Sequence, residues 1–205
     1  MRLKKKIIYI LCGSLFVTGS FATVKKIKAS GGFVKIYGTS SLHDWTVTGY
    51  HLYGSIAVRN KRSTATSLID YLLKEENNQL NAKLRIPVAY LKSGKSGMDD
   101  KMKEALKYEK NKFIHFSLSK ISKIRKVNDH GLTFIATGNL TIAGKIKLIP
   151  LKVSLTKKLK KYYFRVKKKF KMTNFKIKPP KAMLGVISTG DEVTINILWI
   201  LKAIE

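Results

Sequence analysis

The chain is constrained most by an alternation of apolar and polar side chains that recurs along much of its length. In residues 80–88 and 193–199, for example, every second side chain is apolar. A period of two is typical of β-strands with one buried and one solvated face. About eight such segments follow one another at hairpin-like spacing, which predicts a mainly β, antiparallel fold. Eight strands can close into a barrel around a small apolar ligand, and a packed sandwich is the competing architecture.

One segment departs from this alternation. Met98, Met102, Ala105 and Leu106 recur at helical spacing, which predicts one short helix at about residues 97–107. Ser96 is placed to cap it, and an acidic residue three positions later completes a capping-box pattern. The helix is expected to act either as a lid at one end of the barrel or as a simple structural cap. Residues 64–73 are ambiguous, because they suit a strand or a single helical turn.

The N-terminus has the pattern of a secretory signal peptide. Four basic residues precede an apolar run over residues 7–17, and small residues stand at the −3 and −1 positions before a cleavage point after Ala22. We therefore expect a signal peptide (residues 1–22), a flexible start (residues 23–30) and a single barrel domain (residues 31–205), with a periplasmic or secreted location. An uncleaved membrane anchor is the alternative interpretation, although the run is short for a membrane span.

Cysteine usage and charge narrow the classes of function. Cys12, within the predicted signal peptide, is the only cysteine, so a processed chain would have no disulfide, catalytic thiol or thiolate metal site. The formal net charge is +29, and about +25 would remain after cleavage. Such a surface attracts polyanions, although most of the basic residues are lysines and phosphate recognition often favours arginine.

Five motifs give the chain a family resemblance. They are GTSSLHDW (38–45), VAYLKSGKSGMDDKMKEALKYEKNKFIHFSL (88–118), TGNLTIAGKIKLIPLKVSL (137–155), MTNFKIKPP (172–180) and TGDEVTINILWI (189–200). In this order they resemble the YceI-like family of exported lipid- and polyisoprenoid-binding proteins, over about residues 31–200. The chain departs from the family pattern after Gly144, where the expected threonine is missing and the proline comes later, at Pro150.

The resemblance implies an eight-stranded, lipocalin-like antiparallel barrel with a long isoprenoid chain in its lumen. It favours a ligand-lined lumen over a packed core. Three polar residues are candidates for the barrel mouth: His43, Lys92 and Lys95. Trp45 is open to two interpretations, a ligand contact or a core residue. The lumen candidates are Trp45, Val47, Leu84, Met102, Phe116, Phe134, Leu140, Ile142, Phe164 and Phe175.

No catalytic or metal-binding pattern is recognisable in the sequence. There is no HExxH motif, no nucleophile-elbow serine and no closely spaced cluster of His, Asp and Glu. The leading hypothesis is an exported, non-enzymatic protein that holds a lipid or polyisoprenoid and has no cofactor. The alternative is a basic surface protein that binds polyanions, with an anionic membrane surface as an open partner and nucleic acid not favoured. Whether the protein forms a homodimer is left open.

Overall fold

Strands dominate the described part of the chain. The computed structural model describes residues 23–60, 67–74, 80–182 and 185–203, so the predicted signal peptide lies outside it. Two helices are described, α1 (Leu68–Lys74) and α2 (Ser96–Ala105), and neither is long and apolar enough to cross a membrane. The strands are β1 (Thr23–Ser40), β2 (Trp45–Gly49), β3 (Tyr53–Asn60), β4 (Leu80–Pro87), β5 (Phe113–Asn128), β6 (Gly131–Ile142), β7 (Lys145–Lys158), β8 (Lys161–Lys171), β9 (Lys181–Ala182) and β10 (Ile187–Ala203).

Eight of these strands close into an antiparallel barrel. Their order is β1-β3-β4-β5-β6-β7-β8-β10, and β10 pairs with β1 to close the ring. β2 adds to the second half of β1, and β9 adds to the start of β10. The predicted lipocalin-like barrel of eight strands is confirmed, and the competing sandwich is wrong.

β1 is the strand on which closure depends. Its first part, from Thr23 to Lys28, pairs with β3, and its second part pairs with β2, while β10 runs along its other edge. A register shift separates the two parts, and there Gly32 has φ +123°. A Cβ at Gly32 would lie 2.0 Å from the Leu198 carbonyl oxygen, so this bend requires glycine. The flexible start predicted for residues 23–30 is wrong, because this segment is paired strand.

The alternation read from the sequence places the apolar side chains inside the barrel. On β6, for example, Leu132, Phe134 and Ala136 are buried while the residues between them are not. A short connection, residues 50–52, joins β2 to β3. The register of β6 against its neighbours β5 and β7 keeps these inward side chains in rows.

The two helices cover opposite ends of the barrel. α1 lies at the end where β1 begins, which we call the α1 end. Four of its side chains are buried: Leu68, Ile69, Tyr71 and Leu72. Ser67 Oγ accepts a hydrogen bond from the Asp70 N–H at 3.1 Å, and the Leu68 N–H donates to Tyr162 Oη at 3.1 Å. The prediction of a single helix is therefore wrong, and the ambiguous residues 64–73 include the start of α1.

α2 lies at the opposite end, where β1 finishes and β10 begins, which we call the mouth. Its predicted apolar stripe is confirmed, because Met98, Met102 and Leu106 are half-buried against the core. The predicted capping box is wrong. Ser96 is the first helical residue, and Asp99 turns back to bond Ser93 instead.

The barrel wall changes its construction near the mouth. β7 and β8 pair only where Val153–Lys158 faces Lys161–Val166. Closer to the mouth, the 3₁₀ turn Met172–Phe175 contacts both strands. A second apolar cluster forms there, and Phe175 and Ile177 pack against Leu140 and Ile142 in it. The mouth is thus bounded partly by a turn rather than by a continuous sheet.

Candidate functional site

The barrel encloses an apolar lumen. Its cavity has a volume of about 430 Å³, within the range typical of small-molecule sites. Inward side chains of β1, β3–β8 and β10 line its length, and Leu68 and Leu72 of α1 close its floor. Polar lining residues among those described are confined to the mouth: Ser40, His43, Lys95, Lys101, Lys181 and Thr189. The deep part of the lumen therefore suits an apolar chain.

Nine of the ten lumen candidates line this cavity. They are Trp45, Val47, Leu84, Met102, Phe116, Phe134, Leu140, Ile142 and Phe164. Phe175 does not, and its assignment to the lumen is wrong. It follows the end of β8, so strand alternation no longer applies to it, and it packs edge-on against Phe170 with ring centroids 5.3 Å apart. Contact of the nine residues with a ligand stays a prediction.

Trp45 is both a packing residue and part of the lumen wall. Its indole N–H donates to the Thr39 carbonyl at 2.9 Å, which fixes the ring at the mouth. The ring lies directly over Gly38, where a Cβ would come within 2.1 Å of the indole carbon Cζ2. Gly38 is needed here because of this close approach. Trp45 is thus packed against Gly38 and also lines the lumen, and its contact with a ligand stays a prediction.

His43 and Lys95 meet at the mouth, as two of the three predicted mouth residues. His43 Nδ1 lies 2.8 Å from the Asp44 carbonyl oxygen, which can only accept, so Nδ1 carries the proton. Nε2 is then free to accept from Lys95 Nζ at 3.4 Å. Lys92, the third, does not line the cavity, because its ammonium pairs with Asp99 of α2 at 3.5 Å and its backbone is bridged to Thr48.

Asp99 anchors α2 over the mouth. Its Oδ1 accepts from both the N–H and the hydroxyl of Ser93, each at 2.7 Å. Burial alone raises the pKa of this carboxyl, but the two Ser93 hydrogen bonds and the Lys92 charge together outweigh it and lower the pKa below 3.8. Asp99 is therefore ionised at neutral pH, and it joins the first turn of α2 to the loop that is bridged to β2.

Several lining residues were missed from the sequence. Leu68 and Leu72 belong to α1, whose signal was available: Ser67 followed three residues later by Asp70. Lys101 and Lys181 line the mouth, but no single lysine stands out in a chain this rich in lysine. Their position depends on where α2 and the segment after the Met172–Phe175 turn fold back, which local periodicity does not encode.

The polar groups at the mouth are engaged mainly with backbone. Ser40 Oγ donates to the His43 carbonyl at 2.7 Å and accepts from the His43 N–H at 3.1 Å, so it closes a turn.

Among the residues that the structure describes, no three His, Cys, Asp or Glu side chains lie together in a way that could hold a metal ion. The site is thus an apolar cavity with a cationic rim.

A closed antiparallel barrel with an apolar lumen and one polar mouth is a lipocalin-like barrel. Within that class, the YceI-like domain matches residues 18–199, so the chain belongs to the YceI-like family, as its motifs indicated. No curated protein matches the chain.

Two solved structures share this fold. The first is BcnA of Burkholderia cenocepacia, with 17% identity and a TM-score of 0.56 over 82% of this chain and 95% of that one. The second is a polyisoprenoid binding domain of Saccharophagus degradans, with 13% identity and a TM-score of 0.59 over 87% and 98% of the two chains. At these identities the likeness is one of fold.

Proposed function

We propose that this protein is an exported, non-enzymatic carrier that holds one long apolar ligand, a polyisoprenoid or a similar lipid, in its lumen. The observation that carries the proposal is the lumen itself, a cavity of about 430 Å³ whose described polar lining residues all lie at one end. Membership of the YceI-like family and the polyisoprenoid binding domain of Saccharophagus degradans support the ligand class.

The physical basis of binding is burial of hydrocarbon. Each Å² of apolar surface removed from water contributes about 25 cal/mol, so a chain of several isoprene units binds with few polar contacts. A ligand of this kind needs a lumen with few buried polar groups that would be stripped of water, and the indole N–H of the lining residue Trp199 is buried without a hydrogen-bond partner. Met98 and Met102 of α2 face the cavity, and their flexible thioethers can adapt to chains of different shape.

Export is the second part of the proposal. The pattern of residues 1–22 favours cleavage after Ala22, and processing there would keep all of the described barrel in the mature chain. Mass spectrometry of the protein isolated from its own cells should give a mature chain starting at Thr23 in the exported fraction. Recovery of only the full-length chain from the cytoplasm would contradict export.

The lipid-binding proposal is tested by what the protein carries. Native mass spectrometry and organic extraction of the purified protein should reveal about one lipid per chain. Recovery of lipid-free protein that also fails to take up farnesol, a short prenyl alcohol, would overturn the proposal.

A matched pair of substitutions locates the bound lipid. Ala82 is half-buried and lines the lumen, whereas its neighbour Asn81 is exposed on the same strand. Ala82→Trp should fill part of the cavity and lower lipid occupancy at least several-fold, while Asn81→Trp should leave it unchanged. Circular dichroism and thermal melting of both variants check that the barrel is intact. Equal occupancy in both variants would place the lipid outside the lumen.

A further inference from the structure

Four lysines stand side by side on the outer wall of the barrel at the α1 end. Lys28 of β1 lies opposite Lys202 of β10, which in turn lies opposite Lys161 of β8. Lys161 lies opposite Lys158 of β7, and all four side chains are exposed. Neighbouring strands are about 4.8 Å apart, so this lysine row brings four like charges together across four strands.

The lysine row is not neutralised by the described part of the chain. None of the four lysines forms an ion pair with a carboxylate of the described residues. At the same end, Asp70 is paired with Lys74 at 3.1 Å. Asp129 is paired with Lys126 at 2.6 Å. Because like charges directly opposite each other destabilise a sheet, an anionic partner would relieve a repulsion that the fold itself leaves in place.

An apolar side chain projects from the hairpin that carries half of the row. Leu159 lies between Lys158 and Lys160 in the turn that joins β7 to β8, and it is 94% exposed. Its φ is +53°, in the left-handed region that disfavours residues with a Cβ. Neither packing nor backbone conformation therefore favours leucine at this position.

Two more apolar side chains are exposed at the same end. Val127 is 63% exposed near the end of β5, and Leu73 of α1 is 45% exposed. The turn after β5 is joined to the β7–β8 hairpin, because the Lys157 N–H donates to the His130 carbonyl at 2.8 Å. Exposed apolar side chains among lysines are typical of surfaces that bind an anionic bilayer, where the apolar groups enter the head-group region and the ammonium groups meet lipid phosphates.

The mouth differs from the α1 end in its charge. It also exposes apolar side chains, among them Leu42 and Val186, and lysines line its rim. Four acidic residues accompany those lysines, however, between Asp99 and Glu109 on and just after α2. An anionic surface would repel these carboxylates, so the charge distribution favours the α1 end as the docking surface.

We propose that the α1 end docks the protein on an anionic lipid bilayer, with Leu159 in the head-group region and the lysine row against the lipid phosphates. The phosphate-lined outside of a nucleic-acid duplex would satisfy the lysines but would leave the three aliphatic side chains in water. A bilayer therefore fits this surface better. Docking at the closed floor of the barrel keeps the mouth on the side away from the bilayer. This inference does not depend on what the lumen holds.

Vesicle co-sedimentation tests the docking with protein purified from its own cells. The parent protein should bind vesicles made of equal parts phosphatidylglycerol and phosphatidylcholine. It should bind phosphatidylcholine vesicles at least roughly tenfold more weakly, because each lysine near an anionic surface contributes to the attraction. Binding to the mixed vesicles should weaken as the salt concentration rises, since exposed charges are screened.

A matched pair of double variants tests the lysine row. Lys158→Gln/Lys161→Gln should lower the affinity for the mixed vesicles roughly tenfold. Its melting temperature should be equal or higher, because a like-charge pair is removed. Lys145→Gln/Lys147→Gln removes two exposed lysines at the mouth end of β7 and should stay within about twofold of the parent, since screening limits distant charges. An equal loss in both variants would assign binding to general charge and overturn the docking site.

Leu159→Gly tests the apolar tip. Glycine adopts a φ of +53° without steric penalty, so this variant should melt at the same or a higher temperature than the parent. Its affinity for the mixed vesicles should fall at least about fivefold, because the apolar area of the leucine is no longer removed from water. Leu148→Ala is the control, since Leu148 is 63% exposed on β7 towards the mouth, and it should bind like the parent.

Three other results would overturn the proposal. Duplex DNA bound as tightly as the mixed vesicles, with vesicle binding insensitive to Leu159→Gly, would mean a surface for polyanions in general. Loss of vesicle binding in Lys145→Gln/Lys147→Gln but not in Lys158→Gln/Lys161→Gln would place the docking surface at the mouth. A parent protein that binds neither kind of vesicle would exclude docking and leave the lipid carrier intact.

Discussion

The two ends of the barrel are covered by helices of opposite character. α1 is short, yet four of its side chains are buried, and Leu72 is 2% exposed. α2 is longer, but its apolar stripe is only half-buried and its single fully buried residue is the charged Asp99. The α1 end is therefore held by hydrocarbon packing, whereas the mouth is held by hydrogen bonds and one ion pair.

This difference indicates which end admits a ligand. Opening the α1 end would expose several apolar side chains at once, at about 25 cal/mol per Å². Opening the mouth would expose half-buried methionines and transfer ionic contacts to water, where exposed pairs contribute little. We therefore expect the lumen to exchange its contents at the mouth, with α1 as a fixed floor.

The largest expected effect is at the floor. Leu72→Ala removes a buried side chain and leaves a cavity, so the free energy of unfolding should fall by about 3 kcal/mol in denaturant titration. Leu73→Ala is the matched control, since Leu73 is the next residue of α1 but is 45% exposed. A comparable loss in both variants would show that α1 is not the sealed end.

A smaller loss is expected at the mouth from Gly38→Ala. The added methyl would collide with the Trp45 ring, which should lower the free energy of unfolding by about 2 kcal/mol and shift the Trp45 indole N–H resonance. Gly97→Ala is the control, because a Cβ at Gly97 meets nothing within 4 Å and alanine favours the helix. An unshifted indole signal in Gly38→Ala would contradict the close packing.

Met102→Ala should cost less stability than either of these changes. Met102 is half-buried, so we expect a loss of about 1 kcal/mol, below the range for fully buried methionines. If the mouth is the exchanging end, the variant should also release farnesol faster in stopped-flow displacement, and Leu72→Ala should not. Met102→Leu, which conserves volume, serves as the control. Faster release from Leu72→Ala alone would reverse the assignment of the two ends.

The smallest effect concerns pH at the mouth. The pKa of Asp99 is lowered in the folded protein, so the stabilisation by its carboxylate is present above the ordinary value of 3.8 and is lost as pH falls through the lowered pKa. Asp99→Asn should remove this acid-dependent part of the stability, at most about 1 kcal/mol because Lys92 is exposed. Asp100→Asn, at an exposed position beside it, should keep the parent pH profile. An unchanged profile in Asp99→Asn would show that the anchor contributes nothing.

The sequence predicted the strands of the barrel better than it predicted the segments that close the ends of the barrel. Alternation in β4 and β6 identified inward residues such as Leu84 and Phe134, because burial of one sheet face is recorded in every second residue. The same pattern misled at Phe175, where the strand had already ended. α1 was ambiguous, because a helix of two turns offers too few repeats to separate a period of 3.6 from a period of two.

The amino-acid sequence by itself determined the class of fold, the family and the faces of the strands, since these depend on local periodicity and on motifs read in order. Only the tertiary structure decided that the barrel is hollow, that α1 seals one end, and that Lys101 of α2 and Lys181 of β9 both line the mouth. Those properties depend on pairings between distant segments, for example Val34 of β1 with Ile197 of β10. The barrel closes through many such pairings. The volume of its lumen is the space that the strands enclose minus the volume of the inward side chains, and no local sequence pattern records that difference.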